Sequence, residues 1–484
     1  MKIKSPKYPY IITAIFIVIY SLVVFVNHYN FRTYALDLGV FTNALYDYSH
    51  LQWNDATVFK YHTENLLSDH FDLYLIIFSP LSYVFGNYTL LIIQITSVII
   101  GAWGVYKYLL LKFNKEGFAA FGMLHFCLFF GIYSALSFDY HSNVVAAMLA
   151  PWLFYFTEKK YYVKFGLLFL WMILAKETIS LWCFCICLGL IIQYWKDKKA
   201  VIILSCLALI SVSYFLILVK VVMPHLAASG QYDHFKYHIL GENINSAVGN
   251  ILKHPFNTFQ NLFVNHSGNL GNDWYKTEFY AFALVSGGLL LFFRPSYLIM
   301  LLSPIAVKMF NDNPTIWAID CHYSVEFASI ITVGAFTVLG ENITERFKSF
   351  FGAFLCIGSG LVTYKHFNKT IFYHPYERMN IFNKNHYSQP YNVSKVHEAF
   401  KLIHDTATIA VQSPFVPHLA YRNNCFTLPH VKHADYIFAS KSEQGCYPIS
   451  QPELRQLLKD TIATNRWQVI ADDSTVTILK KKPR

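Results

Sequence analysis

Over roughly the first three quarters of the chain, long apolar runs alternate with short polar links, and the alternation stops near residue 365. The runs fall at 10–26, 88–111, 118–136, 144–156, 165–175, 178–195, 201–222, 279–293, 297–310, 325–339 and 350–364. A helix needs about 20 apolar residues to cross a hydrocarbon core about 30 Å thick, so the pattern predicts an α-helical polytopic membrane protein of about eleven transmembrane helices. A further run, 73–85, is too short to cross at about 1.5 Å per residue and contains Pro80. It reads as a juxtamembrane or re-entrant helix that completes an outer loop spanning 28–87.

The polar links supply a test of this count. Lys2, Lys4 and Lys7 precede the first run, and further basic clusters follow at Lys107, Lys112 and Lys115, at Lys159, Lys160 and Lys164, at Lys196, Lys198 and Lys199, and at Arg346 and Lys348. With the N-terminus in the cytoplasm these clusters all face inward, as the positive-inside rule requires. The short loops containing Asp or His, and the long loop 224–278, then face outward. Counting 73–85 as a span would reverse the pattern. The first run has no small-residue cleavage site and reads as a retained span.

Beyond residue 365 the periodicity changes. NVSKVHEAFKLIH and PELRQLLKDTIA have helical spacing, TATIAVQ and DYIFAS read as strands, and WQVIADD with STVTILKK reads as a final strand pair. The chain therefore divides into a membrane domain, 1–365, and a small α/β domain, 366–484, placed outside the membrane.

Composition agrees: 55% of the 484 residues are hydrophobic and 14% charged, against about 25% charged in soluble proteins. The net charge of +10 comes from loop clusters rather than a continuous basic face, which argues against nucleic acid as a partner. Of nine cysteines, Cys127, Cys183, Cys185, Cys187, Cys206 and Cys356 lie in apolar runs, while Cys425 and Cys446 lie in the polar tail, where pairing depends on the side of the membrane.

Candidate chemistry concentrates in 34–72, which carries Asp37, Asp47, Asp55, Glu64, Asp69, Asp72, His50, His62 and His70. Ionisable groups against a membrane are costly and mark functional sites. Asp37, in ALDLG, reads either as a general base or as the N-cap of the helix that follows. Asp69, His70 and Asp72, in SDHFD, could share a divalent cation or orient a phosphate, or Asp69 could simply cap a turn. Asp139 and His141, in SFDYHS, are held near the membrane surface by the shortness of their loop, with Asp139 as a site residue or a helix cap. Lys176 and Glu177 interrupt an apolar run; Lys176 suits a phosphate as a point charge, and the alternative is a structural pair with an acid on another helix. His322, in DCHYSVEF, opens a helix between Asp320 and Glu326, and could face the same cavity or the headgroups. Tyr232, Asp233, His234, Lys236, Tyr237 and His238 could contact an acceptor.

ALDLG, HFD with a following Pro, FDYHS, AKET and CHYS, in this order, resemble a family of bacterial and archaeal polytopic membrane proteins, domain of unknown function 2079; SPFVPHLAYR followed by ADYIF is similar to that family's C-terminal region. The family in turn resembles glycosyltransferases of the C-type fold, in which a first outer loop carries an essential acid and juxtamembrane helices. The resemblance implies an integral membrane glycosyltransferase that moves a sugar from a polyprenyl-phosphate donor to a lipid, glycan or protein acceptor at the outer face of the plasma or inner membrane, with inversion. Asp37 matches the first-loop acid and 73–85 a juxtamembrane helix; the usual paired acidic motif is absent, since Leu38 and Gly39 follow Asp37. On this expectation Lys176, His70 and His141 bind the donor phosphate, and a divalent cation, Mg or Mn, would use Asp69 and Asp139. A transporter or flippase, with charges reachable from both sides, and a non-catalytic scaffold are the other classes.

Overall fold

The computed structural model describes residues 7–60, 62–371 and 376–483; Lys2 and Lys4 lie outside the described residues. The chain is mostly helical, with one small sheet near its C-terminal end. Among the described residues, four helical stretches are long and apolar enough to cross a membrane: Tyr8–Tyr29, Tyr74–Phe113, Lys198–Leu226 and Glu345–Asn368. Glu116–Cys127 and Phe130–Ser137, bent by 41° at their junction, make a fifth if the pair counts as one span.

The other expected spans form helices of 18 residues or fewer. Ser142–Glu158 carries Pro151, Tyr162–Ile173 stops before Lys176, and Gly287, at φ +101°, divides Tyr275–Val285 from the 3-10 turns of Gly288–Phe293. Val325–Asn342 runs 18 residues, and almost its whole surface is buried by protein rather than left for lipid.

The run expected at 73–85 is a chain of short helical pieces, Tyr74–Phe78, Ser79–Leu81, Ser82–Phe85 and Gly86–Tyr88, leading into Thr89–Phe113. The 40 residues from Tyr74 to Phe113 would extend about 60 Å if fully helical, about twice the hydrocarbon core, so part of the stretch must lie outside it. Leu81, Tyr83, Val84 and Phe85 are exposed.

The sheet has the order β2-β1-β3-β5-β4, with β1 Ile409–Val411, β2 Cys425–Thr427, β3 Tyr436–Ala439, β4 Trp467–Asp472 and β5 Thr477–Lys481. β1 is parallel to β2 and β3, and β5 is antiparallel to both β3 and β4. Side chains alternate between faces along a strand, and here the alternation divides two cores. Ala410, Ile437, Ala439 and Leu479 pack with Leu454 and Leu458 of the helix Gln451–Ala463. Ile409, Val411, Tyr436, Phe438 and Ile478 belong to the large core that is continuous with the membrane helices. Cys425 and Cys446 are both free thiols.

The sheet domain is thereby fastened to the first outer loop. Ala35 N–H donates to Ser413 Oγ at 3.2 Å, Asn43 donates to the carbonyls of Ala420 and Arg422 at 3.1 and 2.7 Å, and Thr427 N–H donates to the Val58 carbonyl at 2.9 Å. His397 and His418 reach the carbonyls of Tyr29 and His28. The domain, the loop and the C-terminal end of Tyr8–Tyr29 are therefore on one side.

A second close approach sets the loop that carries His322. A Cβ on Gly131 would stand 2.4 Å from the Ser324 carbonyl oxygen and 2.8 Å from its carbon. Overpacking of this kind costs about 1–3 kcal/mol. Gly131→Ala should lower the thermal midpoint in detergent by several degrees. Gly166→Ala, where nothing lies within 4 Å, should not. Equal midpoints for the two variants would refute the packing constraint.

Candidate functional site

Asp37 sits on a single π-type turn, Ala35–Gly39, that precedes the helix Val40–Ser49. Gly39 occupies the cap of that helix and no side chain caps it, so Asp37 does not serve as an N-cap. A Cβ on Gly39 would meet Val416 at 2.8 Å, so the small residue lets the C-terminal domain close onto the turn. The Asp37 side chain remains about 30% exposed, and its Oδ1 lies 3.2 Å from His141 Nε2. A carboxylate accepts, so Nε2 carries the hydrogen, and Oδ2 is left for another donor. His141 stacks on His322 with ring centroids 3.6 Å apart, and Phe138 stacks on both.

Asp139 and Gln94 hold this pair in place. Asp139 adopts φ +52°, in the left-handed region, and Oδ2 accepts the Tyr34 N–H at 2.9 Å. Gln94 Nε2 donates to the Asp139 carbonyl at 2.8 Å, and Gln94 Oε1 accepts the His141 N–H at 2.9 Å. Arg378 approaches Asp139 Oδ1 at 3.6 Å and lies over the rings of Tyr34 and Phe138. Burial pushes the Asp139 carboxyl up to about 7, against the pull of Arg378 and with added repulsion from Asp37.

A second cluster joins the first outer loop, the start of Glu177–Gln193 and the long loop. His70 Nδ1 lies 3.1 Å from Glu177 Oε1, the Phe71 N–H reaches Glu177 Oε2 at 3.3 Å, and the Tyr232 hydroxyl donates to Glu177 Oε1 at 3.3 Å. His234 Nε2 lies 3.1 Å from Asp69 Oδ1, and the rings of His70 and His234 stack at 4.2 Å. Burial works to raise Asp69, but the His234 hydrogen bond and the fields of His70, His234 and Lys60 hold it well below the ordinary carboxyl range. Burial and Lys176 lower His70 more than Glu177 raises it, which favours the neutral ring.

Asp72 turns inward instead. Its Oδ1 accepts the Tyr74 N–H at 2.9 Å and so starts the next helix, and burial pushes its carboxyl up to about 7 against the Ser142 hydroxyl, the Tyr74 amide and the Lys176 charge. The Lys176 ammonium has no hydrogen bond or ion pair among the described residues; its charge acts on Asp72, Glu177, His70 and His322. His322 joins the two clusters: burial, then His141, Lys176, His70 and Lys308 in turn, hold it well below the usual histidine range. The lysine is thus not the structural ion pair that the sequence left open.

The metal expectation is redistributed. Asp139 is engaged by Tyr34 and Arg378, and Asp69 and Asp139 do not share a ligand group; the donors that converge are Asp69, His70 and His234, whose ligand atoms all lie within 4.8 Å of one another. Mg²⁺ prefers all-oxygen coordination, and one carboxylate with two imidazoles does not fit it.

Tyr232 and Thr178 also line an apolar groove of about 200 Å³, walled by Phe215, Phe235, Val248 and Phe310. On its other side Thr178 lines a small cavity with Trp182, Tyr323 and Glu326, and Glu326 accepts the Asn143 amide at 2.8 Å.

The model of a family described as a predicted membrane protein, DUF2079, matches residues 27–478. The chain belongs to the DUF2079 family. No curated protein matches it. The DUF2079 match takes in both clusters, the groove and the seam with the C-terminal sheet.

Sequence reasoning did not single out Gln94, Arg378 or His234. Gln94 was visible as a lone amide in LLIIQITSVII, and His234 stood among six polar or aromatic candidates in its loop; Arg378, in HPYERMN, carried no such signal.

Asp47, in the helix beside the C-terminal domain, allows a test of the buried carboxyls away from both clusters. Its Oδ2 accepts from Asn54 at 2.8 Å, and burial pushes it up to about 7, less the Asn54 hydrogen bond. A carboxyl raised on folding contributes stability that is complete below its unfolded value, near 4, and lost as pH rises through 7. The thermal midpoint of the wild type should therefore fall between about pH 4 and 7, and Asp47→Asn should reduce the slope. Parallel slopes would rule out the buried neutral form.

Proposed function

We propose that the protein is an integral membrane glycosyltransferase that takes a sugar from a polyprenyl-phosphate donor and passes it, with inversion, to a hydroxyl of a lipid, glycan or protein acceptor. The observation that carries this reading is Lys176: an ammonium with no ion pair among the described residues, two positions before Thr178 of the apolar groove, whose charge acts on His322, the ring stacked on His141 of the Asp37–His141 pair. An unpaired charge at such a site is costly unless a ligand or water meets it. A phosphate on an apolar tail is the ligand class that fills both the groove and the charge.

In this reading the side chains divide the work. His141 Nε2 steadies Asp37 Oδ1, and Oδ2 takes the proton of the acceptor hydroxyl. The acceptor oxygen bonds to the anomeric carbon as the bond from that carbon to the phosphate oxygen breaks. Negative charge then grows on the departing phosphate, where Lys176 stabilises it. The groove beside Tyr232 and Phe235 holds the lipid tail and fixes the position of the sugar. His70, bonded to Glu177, and His141, bonded to Asp37, act through these partners rather than as free phosphate ligands.

In this reading the chain crosses the plasma or inner membrane about eleven times in a C-type glycosyltransferase arrangement. The N-terminus is cytoplasmic, and 366–484 forms an extracytoplasmic domain.

Sugar transfer from a panel of radiolabelled polyprenyl-phosphate sugars, supplied with cell-envelope extract as acceptor, tests the reading. Asp37→Asn should lower turnover about 10²–10⁴-fold, the usual contribution of a general base, and Lys176→Met about 10²–10³-fold, with folded yield unchanged for both. Full activity in Asp37→Asn would exclude the base. Movement of intact donor across proteoliposomes without sugar transfer would establish a flippase instead.

A further inference from the structure

The Asp69 cluster contains more than a phosphate site requires. His70 and Asp69 come from the first outer loop, and His234 comes from the long loop more than 160 residues later in the chain. Nothing in the local backbone explains why two imidazole rings should stack at 4.2 Å with a carboxylate oxygen 3.1 Å from one of them.

We propose that Asp69, His70 and His234 form a binding site for a zinc-class divalent ion that fastens the long outer segment, 224–278, to the first outer loop. Three features support this. The ligand atoms lie within 4.8 Å of one another, whereas tetrahedral ligation at about 2.1 Å would place them roughly 3.4 Å apart, so a small closing movement completes the set. The donors are two imidazoles and a carboxylate, which suit zinc and leave a fourth position for water. His70 is already oriented as a ligand, because Nδ1 faces Glu177 at 3.1 Å and Nε2 is left for the ion.

Glu177 is the positioning residue here. It also accepts from the Phe71 N–H and the Tyr232 hydroxyl, so one buried carboxylate holds the first loop, the ligand ring and the segment that carries His234. Asp69 and Glu177 bring two negative charges to the ion, balanced against Lys60 and Lys176 nearby. Fastening this segment would close Tyr232, Phe235 and Tyr237 over the apolar groove that they line.

The test uses the full chain in detergent, stripped of metal and titrated with zinc or magnesium against a chromophoric chelator. The wild type should bind about one zinc per chain, at least about 100-fold more tightly than magnesium. His234→Asn should weaken zinc binding tenfold or more, and Glu177→Gln, through its orienting role, about 10–100-fold. Trypsin should cut 224–278 faster after EDTA than with zinc, a measurement on the wild type that does not depend on a variant folding. No zinc uptake by monodisperse wild type, or equal uptake by the wild type and by folded His70→Ala/His234→Ala, would overturn the site. Cleavage of 224–278 that ignores zinc would overturn the fastening. All three readouts are independent of sugar transfer, so they stand or fall separately from the proposed activity.

Discussion

Asp139 is the residue on which the geometry of the first cluster depends. Its side chain holds the Tyr34 N–H at the entry to the Asp37 turn, and its carbonyl holds Gln94, whose other amide atom fixes the His141 backbone. One buried residue therefore positions both members of the Asp37–His141 pair, one from each direction along the chain. The left-handed backbone at Asp139 makes this two-way reach feasible, and it costs of order 1 kcal/mol unless neighbouring contacts enforce it. Gln94 enforces it from within an apolar helix, where an unsatisfied amide would be more expensive still.

The C-terminal sheet completes the same construction from the other side. Because strand side chains alternate, one face of β1, β3 and β5 is committed to the helix Gln451–Ala463 and the other to the large core shared with the first loop and the membrane helices. Ser413, Val416 and Ala420 then come down on the Ala35–Gly39 turn and the helix after it. Strand alternation thus helps set the angle at which Asp37 meets His141, and the sheet is part of the site's scaffold rather than an appendage to a membrane protein.

Much of this was legible in the sequence, and the exceptions have identifiable causes. The apolar runs gave away the membrane class, and the 2-residue period near the C-terminus revealed β1, β3 and the β4–β5 pair, while Cys425–Thr427 was too short to register. Span lengths were harder to read, because Val325–Asn342 faces protein on nearly every side and needs neither the length nor the uniform hydropathy of a lipid-facing helix. Asp37, His141, His322, Lys176 and Glu177 stood out as charges among apolar residues. Their pairing did not: His70 meets Glu177 across 107 positions and Asp37 meets His141 across 104, distances over which no local pattern carries information. Asp69 and Asp72 show the limit most clearly. They share one short motif, yet one faces His234 and the other turns inward to start a helix.

The separation of the two clusters is itself chemically useful. Asp37 and His141 pair in one cluster, whereas the charge of Lys176 acts on Glu177 and His70 of the other. If both lay in one pocket, Lys176 would pair with Asp37, and each would neutralise the other before a substrate arrived. The His141 and His322 rings stack beside Asp37, and burial together with the neighbouring positive charges keeps His322 well below its usual range. In the proposed transfer, proton removal from the acceptor and charge stabilisation on the phosphate would act on opposite sides of the anomeric carbon, so the two groups belong in different clusters.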